Sequence, residues 1–173
     1  GLTEQYYFSH LKQIKNYSCR IKPRFFGKTD VSQVEKVVKK LLMGGVTVIC
    51  AFDADVSVRN EVENKKLAAF KNAYKDDDCV IICDSLPCIE FWFLIHFIQT
   101  NKYFNNSKSV EKDLKKHIMD YEKTKKYLEN PKWVELLAAN QLTAMTNVKL
   151  INAQEGGSYS NMDKAIEILE GVR

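Results

Sequence analysis

Seven uncharged residues, Val46 to Phe52, run straight into Asp53 and Asp55 in the stretch VTVICAFDADVSVRNE. The run is too short and too β-branched to make a helix, so it reads as a strand with both faces buried. Val80, Ile81 and Ile82 read as a second short apolar strand. Helical patterns separate and flank the two. Leu2 to Asn16 carries Leu2, Tyr6, Tyr7, Leu11 and Ile14 at spacings that suit one helix face. Asp30 reads as an N-cap, followed by a stripe of Val31, Val34, Val38, Leu41 and Leu42 that stops at Gly44 and Gly45. A further helix covers roughly Asn60 to Tyr74, and another opens at Pro87, which a first turn tolerates. Cys19 to Phe26 reads as a strand interrupted by Pro23.

This alternation predicts an α/β domain, a parallel sheet with helices on both faces, over residues 1–100. Downstream of about Tyr103 only helices are expected, at Ser107 to Met119, Glu122 to Glu129, Trp133 to Ala153 and Met162 to Leu169. They form a helical extension, residues 101–173, packed on the first unit. Asn152 to Asn161, NAQEGGSYSN, reads as a flexible loop.

In open α/β sheets, ligands collect beyond the carboxyl ends of the strands, and Asp53, Asp55 and Asp84 fall at such ends. Two carboxylates so close repel each other unless a cation lies between them. A hard divalent ion accepts oxygen ligands of this kind, and it can activate water or stabilise a phosphoryl transition state. The spacing alone is weak, because Asp also fills turns and caps helices. Glu4, in a first helical turn, and Glu90, at the entrance of the apolar stretch CIEFWFLIHF, are further carboxylates with two readings each. They either face the same crevice as Asp53 or serve their own helix ends. His96 reads as a core histidine that bonds a neighbour.

Charge is unevenly spread. Nine basic residues between Lys12 and Lys40 meet only Asp30 and Glu35, and nine lysines from Lys102 to Lys132 meet five acids. Basic flanks around an acidic centre suit a protein that holds phosphates at its rims and a metal in its middle, and they equally suit ordinary solvated helix faces. Lys22, Arg24, Lys28 and Arg59 are the candidate phosphate contacts. The longest apolar run, Pro87 to Gln99, falls short of the roughly 20 residues of a spanning helix, and no signal peptide opens the chain. Five cysteines, an odd number without a repeated Cys-x-x-Cys pair, read as small apolar residues in a reducing, cytoplasmic setting rather than as zinc ligands.

Taken together, these segments resemble the RloB-like family, whose members carry a Toprim-like, Rossmann-like fold and are grouped with OLD-type nucleases of phage-defence systems. GLTEQYYF, Gly1 to Phe8, matches the family's Thr-Glu and Tyr-Phe pattern; AFDAD, Ala51 to Asp55, matches its strand ending in Asp-x-Asp. SLPCIEFWFLIHF, Ser85 to Phe97, is similar to its Ser-Asn-Pro-x-Phe-Glu-x-Trp-x-x-x-His-Phe pattern, with Leu86 in place of Asn and Ile89 in place of Phe. The late segments KLINAQ and YSNMDKAIEIL resemble its closing helices. The resemblance implies metal-dependent cleavage of DNA or RNA, with Mg²⁺ or Mn²⁺ held by Asp53, Asp55 and Glu4, and with Glu90 added to the catalytic set. It also implies a role in antiviral or abortive-infection defence beside an AAA- or ABC-type ATPase partner, and leaves a homo-oligomer open. The family's first strand and its terminal Glu would lie just before Gly1. The competing expectation is an inactive Toprim-like module that binds nucleic acid or a partner. A nucleotide-sugar transferase is disfavoured, because the chain is short and has no glycine-rich phosphate loop.

Overall fold

The computed structural model describes residues 1–21, 31–54 and 61–171. Two parallel strands form its centre, β1 (Val48–Asp53) and β2 (Val80–Leu86), in a register that sets Val48 opposite Val80 and Asp53 opposite Ser85. A parallel pair needs a crossover, and α3 (Glu61–Ala73) lies within it. Alternation along the strands divides the core. Val48, Cys50 and Val80 join Val38 of α2 (Val31–Leu42) and Phe70 of α3 on one face. Ile81 and Cys83 belong to the larger cluster on the other. Helices cover both faces, as the alternating pattern predicts.

The sheet itself is mixed rather than purely parallel. A third strand, β3 (Tyr159–Ser160), pairs antiparallel with β2, Ser85 opposite Ser160 and Leu86 opposite Tyr159. Two residues are too few to leave an alternating pattern, so this strand is invisible in the sequence. The segment expected to be a flexible loop is tied down along half its length. Ser158 and Ser160 are buried, Ser158 Oγ accepts from the Phe104 amide at 3.0 Å, and the Ser85 and Ser160 hydroxyls lie 2.8 Å apart. A Cβ on Gly157 would stand 2.8 Å from the Asn101 carbonyl oxygen, so only glycine fits this approach.

On the larger face, α1 (Leu2–Lys15) buries Thr3, Glu4, Tyr7 and Leu11, residues that share one face at i, i+4, i+8 spacing. The predicted stripe is thus rotated, and Ile14 at its end is exposed. After a cis Leu86–Pro87 peptide, α4 (Ile89–Leu94) has all six residues buried. A helix that is apolar nearly all round belongs in a core. Around it pack α5 (Ser107–Leu114), α6 (Lys125–Leu128), α7 (Lys132–Ala139), α8 (Gln141–Asn152) and α9 (Met162–Leu169). The larger cluster draws Tyr7 and Ile81 together with Trp133, Val148 and Ile166 from beyond residue 100.

Helix ends depart from expectation where polar side chains compete for the backbone. The single helix expected from Trp133 to Ala153 breaks at Asn140, whose side-chain amide donates to the Leu136 carbonyl at 2.9 Å. The helix expected from Glu122 shortens to α6, because Thr124 caps it with Oγ1 accepting from the Tyr127 amide. Met162 to Leu169 falls where the sequence puts it. Cys19 to Ile21 form no strand, and the rest of that expected strand, with Asp30, lies outside the described residues. No helix among the described residues is long and apolar enough to cross a membrane.

Candidate carboxylate site

Asp53 ends β1, and its Oδ1 accepts a hydrogen bond from the Ile89 amide at 2.8 Å. The strand end is thereby joined to the opening of α4, whose second residue is Glu90. Glu4 enters from the buried face of α1. Burial first, and then the charges of Glu4 and Glu90, push the Asp53 carboxyl up to about 7. The Ile89 amide and Lys123 pull the other way and do not prevail. Three carboxylates from three elements distant in sequence therefore act on one point, as like charges sharing a site do.

Each of the other two has a cationic or polar neighbour. The Gly1 nitrogen lies 2.7 Å from Glu4 Oε2. Glu90 is fully buried; its Oε1 accepts from the Tyr121 hydroxyl at 2.9 Å, and Lys123 Nζ stands 2.9 Å from Oε2. That second contact is an ion pair between a buried carboxylate and a partly exposed ammonium. Lys123 also reaches Glu111 Oε1 at 3.0 Å. Partial burial works against the Lys123 charge, but Glu90 more than offsets it and holds the ammonium protonated.

Carboxylate oxygens are the donors that Mg²⁺ or Mn²⁺ takes. Among the described residues, no three His, Cys, Asp or Glu side chains stand close enough together to hold a metal ion. Asp55, the other half of the Asp-x-Asp, lies outside the described residues, as do Lys22, Arg24, Lys28 and Arg59. Of the described sequence candidates, Glu4 and Glu90 are the two whose charges reach Asp53.

Asp84 takes a different part. It is buried in β2, receives hydrogen bonds from Lys71, from the Tyr159 hydroxyl at 2.7 Å and from the Asn161 amide at 2.7 Å, and is in contact with α3 and β3 at once. Burial alone would raise its carboxyl, but the Lys71 hydrogen bond and charge, with Tyr159 and Asn161, hold it below the usual carboxylate range. All its bonds are structural. His96 is the core histidine expected: its Nδ1 lies 2.8 Å from the Trp92 carbonyl, and burial pushes its pKa down to about 4. Cys50, Cys83 and Cys88 are buried thiols raised by burial, consistent with an apolar role.

Sequence reasoning passed over Tyr121, Lys123 and Glu111. Lys123 counts there only as one lysine in a basic stretch, since its partner Glu90 is 33 positions away and no local pattern links them. Five lysines, Lys102, Lys108, Lys112, Lys115 and Lys116, lie between the two in the chain, so the nearest downstream cation is not the partner.

The RloB-like protein family model matches residues 1–169, nearly the whole chain. No curated protein and no solved structure matches it. A match of that span makes the chain a member of the RloB-like family.

Proposed function

We propose that this RloB-like protein is a divalent-metal-dependent nuclease with a Toprim-like catalytic unit, cleaving phosphodiester bonds of DNA or RNA. The observation that carries the reading is Asp53. Its carboxyl is raised to about 7 by burial and by the charges of Glu4 and Glu90, so negative charge gathers at the end of β1. Asp53 and Asp55 hold Mg²⁺ or Mn²⁺ with Glu4, and Glu90 extends the set. The bound ion supplies Lewis-acid activation of water and charge neutralisation at the phosphate. The Ile89 amide orients Asp53 by holding its Oδ1, and Asp53 would be among the residues that hold the ion. Tyr7, Trp92 and Phe93, on the same two helices as Glu4 and Glu90, are fully buried and anchor those helices to each other. The basic segments on either side, with Lys22, Arg24, Lys28 and Arg59, hold the phosphate backbone. Binding of nucleic acid therefore weakens steeply with salt. In the cell the protein is a cytoplasmic effector of antiviral or abortive-infection defence, working with an AAA- or ABC-type ATPase.

One observation favours a second reading, a non-catalytic nucleic-acid- or partner-binding module: Lys123 already pairs with Glu90, and so supplies a cation where a metal would. Cleavage assays on single- and double-stranded DNA and RNA with Mg²⁺ or Mn²⁺ separate the two. The Asp53→Asn, Asp55→Asn double variant loses cleavage while its circular dichroism and melting remain those of a folded protein. Undiminished cleavage by that variant refutes the metal assignment.

A further inference from the structure

We propose that Lys108, Lys112 and Lys115 of α5 form a track for the phosphates of single-stranded nucleic acid, with the exposed Tyr103 as a platform for a base. The inference deepens the nucleic-acid reading above and rests on it. The three lysines recur at i, i+4 and i+7, so they share one face of the helix, and all three are exposed. Lys115, the C-cap, keeps helical dihedrals, and Val110 and Leu114 bury the opposite face. The axial rise is about 6 Å from Lys108 to Lys112 and about 4.5 Å on to Lys115. Steps of that order separate neighbouring phosphates of one strand.

An ordinary solvated helix face mixes its charges and favours acids in the first turn. This face does the reverse. Lys108 stands in a first turn that holds no acid, at the positive end of the helix dipole. Lys108 and Lys112, four apart, repel each other. The acids of the helix are committed elsewhere, Asp113 to Lys116 and Lys102, and Glu111 to Lys123 at 3.0 Å. Among the described residues no carboxylate pairs with Lys108, Lys112 or Lys115. Residues that work against their own helix are expected at functional surfaces, and a polyanion supplies the charge that this face lacks. Tyr103 selects which polyanion. It is 49% exposed, and its neighbour Lys102 reaches Asp113 at 3.1 Å, which holds that segment along α5. An exposed ring stacks on the unpaired bases of a single strand, which a duplex keeps inside. The lysine face also adjoins the carboxylate site, since Glu111 shares Lys123 with Glu90.

Fluorescence anisotropy of the full chain with a labelled oligodeoxythymidine is the test, in chelator so that nothing is cleaved, read as the slope of log affinity against log salt. The triple variant Lys108→Gln, Lys112→Gln, Lys115→Gln binds at least tenfold weaker at low salt, and its slope is shallower by about 2, near 0.7 for each lost phosphate contact. A charge-matched variant with Lys65→Gln, Lys75→Gln and Lys149→Gln, exposed lysines elsewhere on the surface, keeps the wild-type slope. Tyr103→Ala weakens binding severalfold at an unchanged slope. An unchanged slope in the first triple variant overturns the inference, as do equal losses in both triple variants or a duplex bound as tightly as the single strand. A wild type that binds anionic vesicles and no oligonucleotide overturns it too. If the first triple variant does not fold, Lys108→Gln decides alone, a slope shallower by about 0.7 supporting the inference and an unchanged slope overturning it. Binding that depends on the three lysines in a protein that cleaves no nucleic acid supports this inference and defeats the nuclease reading. Cleavage by a protein whose binding ignores them does the opposite.

Discussion

Trp92 donates its indole N–H to the Tyr7 hydroxyl at 2.9 Å, deep in the larger core. This bond fixes α1 against α4. Glu4 lies one turn before Tyr7, and Glu90 lies two residues before Trp92, so the same bond sets where two of the site carboxylates stand. Tyr7→Phe removes the acceptor and leaves a buried donor without a partner, a loss of about 1–3 kcal/mol. Urea unfolding followed by tryptophan fluorescence measures it. Any cleavage activity falls as well, because the helices that carry Glu4 and Glu90 lose their bolt.

Asp53 makes the native state bind a proton more tightly than the unfolded chain does, since its carboxyl rises from an ordinary value near 4 to about 7. For an acid shifted upward, the folded state is penalised as pH rises through that window. Stability in metal-free buffer therefore falls between about pH 4 and pH 7 from this group, and the penalty is complete above. Asp53→Asn keeps an oxygen for the Ile89 amide but carries no charge. It raises stability at pH 8 by roughly 2 kcal/mol and flattens the slope. Melting temperatures from pH 5 to pH 8 in the presence of a chelator check this.

Asp84 shows the opposite sign. Its carboxyl lies below its unfolded value, so its contribution is present above about pH 4 and disappears as pH falls through the lower folded value. Asp84→Asn breaks the ion pair with Lys71 and disturbs the bonds from Tyr159 and Asn161. Because Lys71 is partly exposed, the expected loss at pH 7 is about 2 kcal/mol, below the 3–5 of a fully buried pair. Unfolding curves at pH 7 and at progressively lower pH give the measurement, the difference between the two proteins shrinking as pH falls.

Gly157→Ala tests the tied-down loop. Its Cβ would meet the backbone oxygen of Asn101 at 2.8 Å, and a carbonyl in a packed chain does not move aside freely. A loss of about 1–3 kcal/mol is expected, as for overpacking elsewhere. Amide exchange at Ser158 and Ser160 accelerates in the variant if β3 detaches from β2.

Most of the α/β unit is legible because its signals are local. The apolar runs at Val48 and Val80 are short and bounded, Gly44 and Gly45 stop a helix, and Met162 to Leu169 repeats at helical spacing. The losses have a common cause as well. Strand β3 owes its two residues to Ser85 and Leu86 of a distant strand, and the break at Asn140 depends on a side-chain bond to Leu136 that the apolar stripe of that segment conceals. At the site, a carboxylate can be nominated from its place after a strand or before a helix, but its neighbours cannot.

The sequence alone determined the order β1, α3, β2, α4, the Asp at the end of β1, and the family, since these rest on spacing and on motifs of adjacent residues. Tertiary structure decided which carboxylates meet. The charges of Glu4 and Glu90 reach Asp53 because α1 is bonded to α4 through Tyr7 and Trp92, and α4 to the end of β1 through Ile89. It also decided that Lys123 stands at Glu90 while Asp84 is given over to Lys71, Tyr159 and Asn161. Charge acts through space over a few ångströms, and the distances that matter here are spanned by residues tens of positions apart.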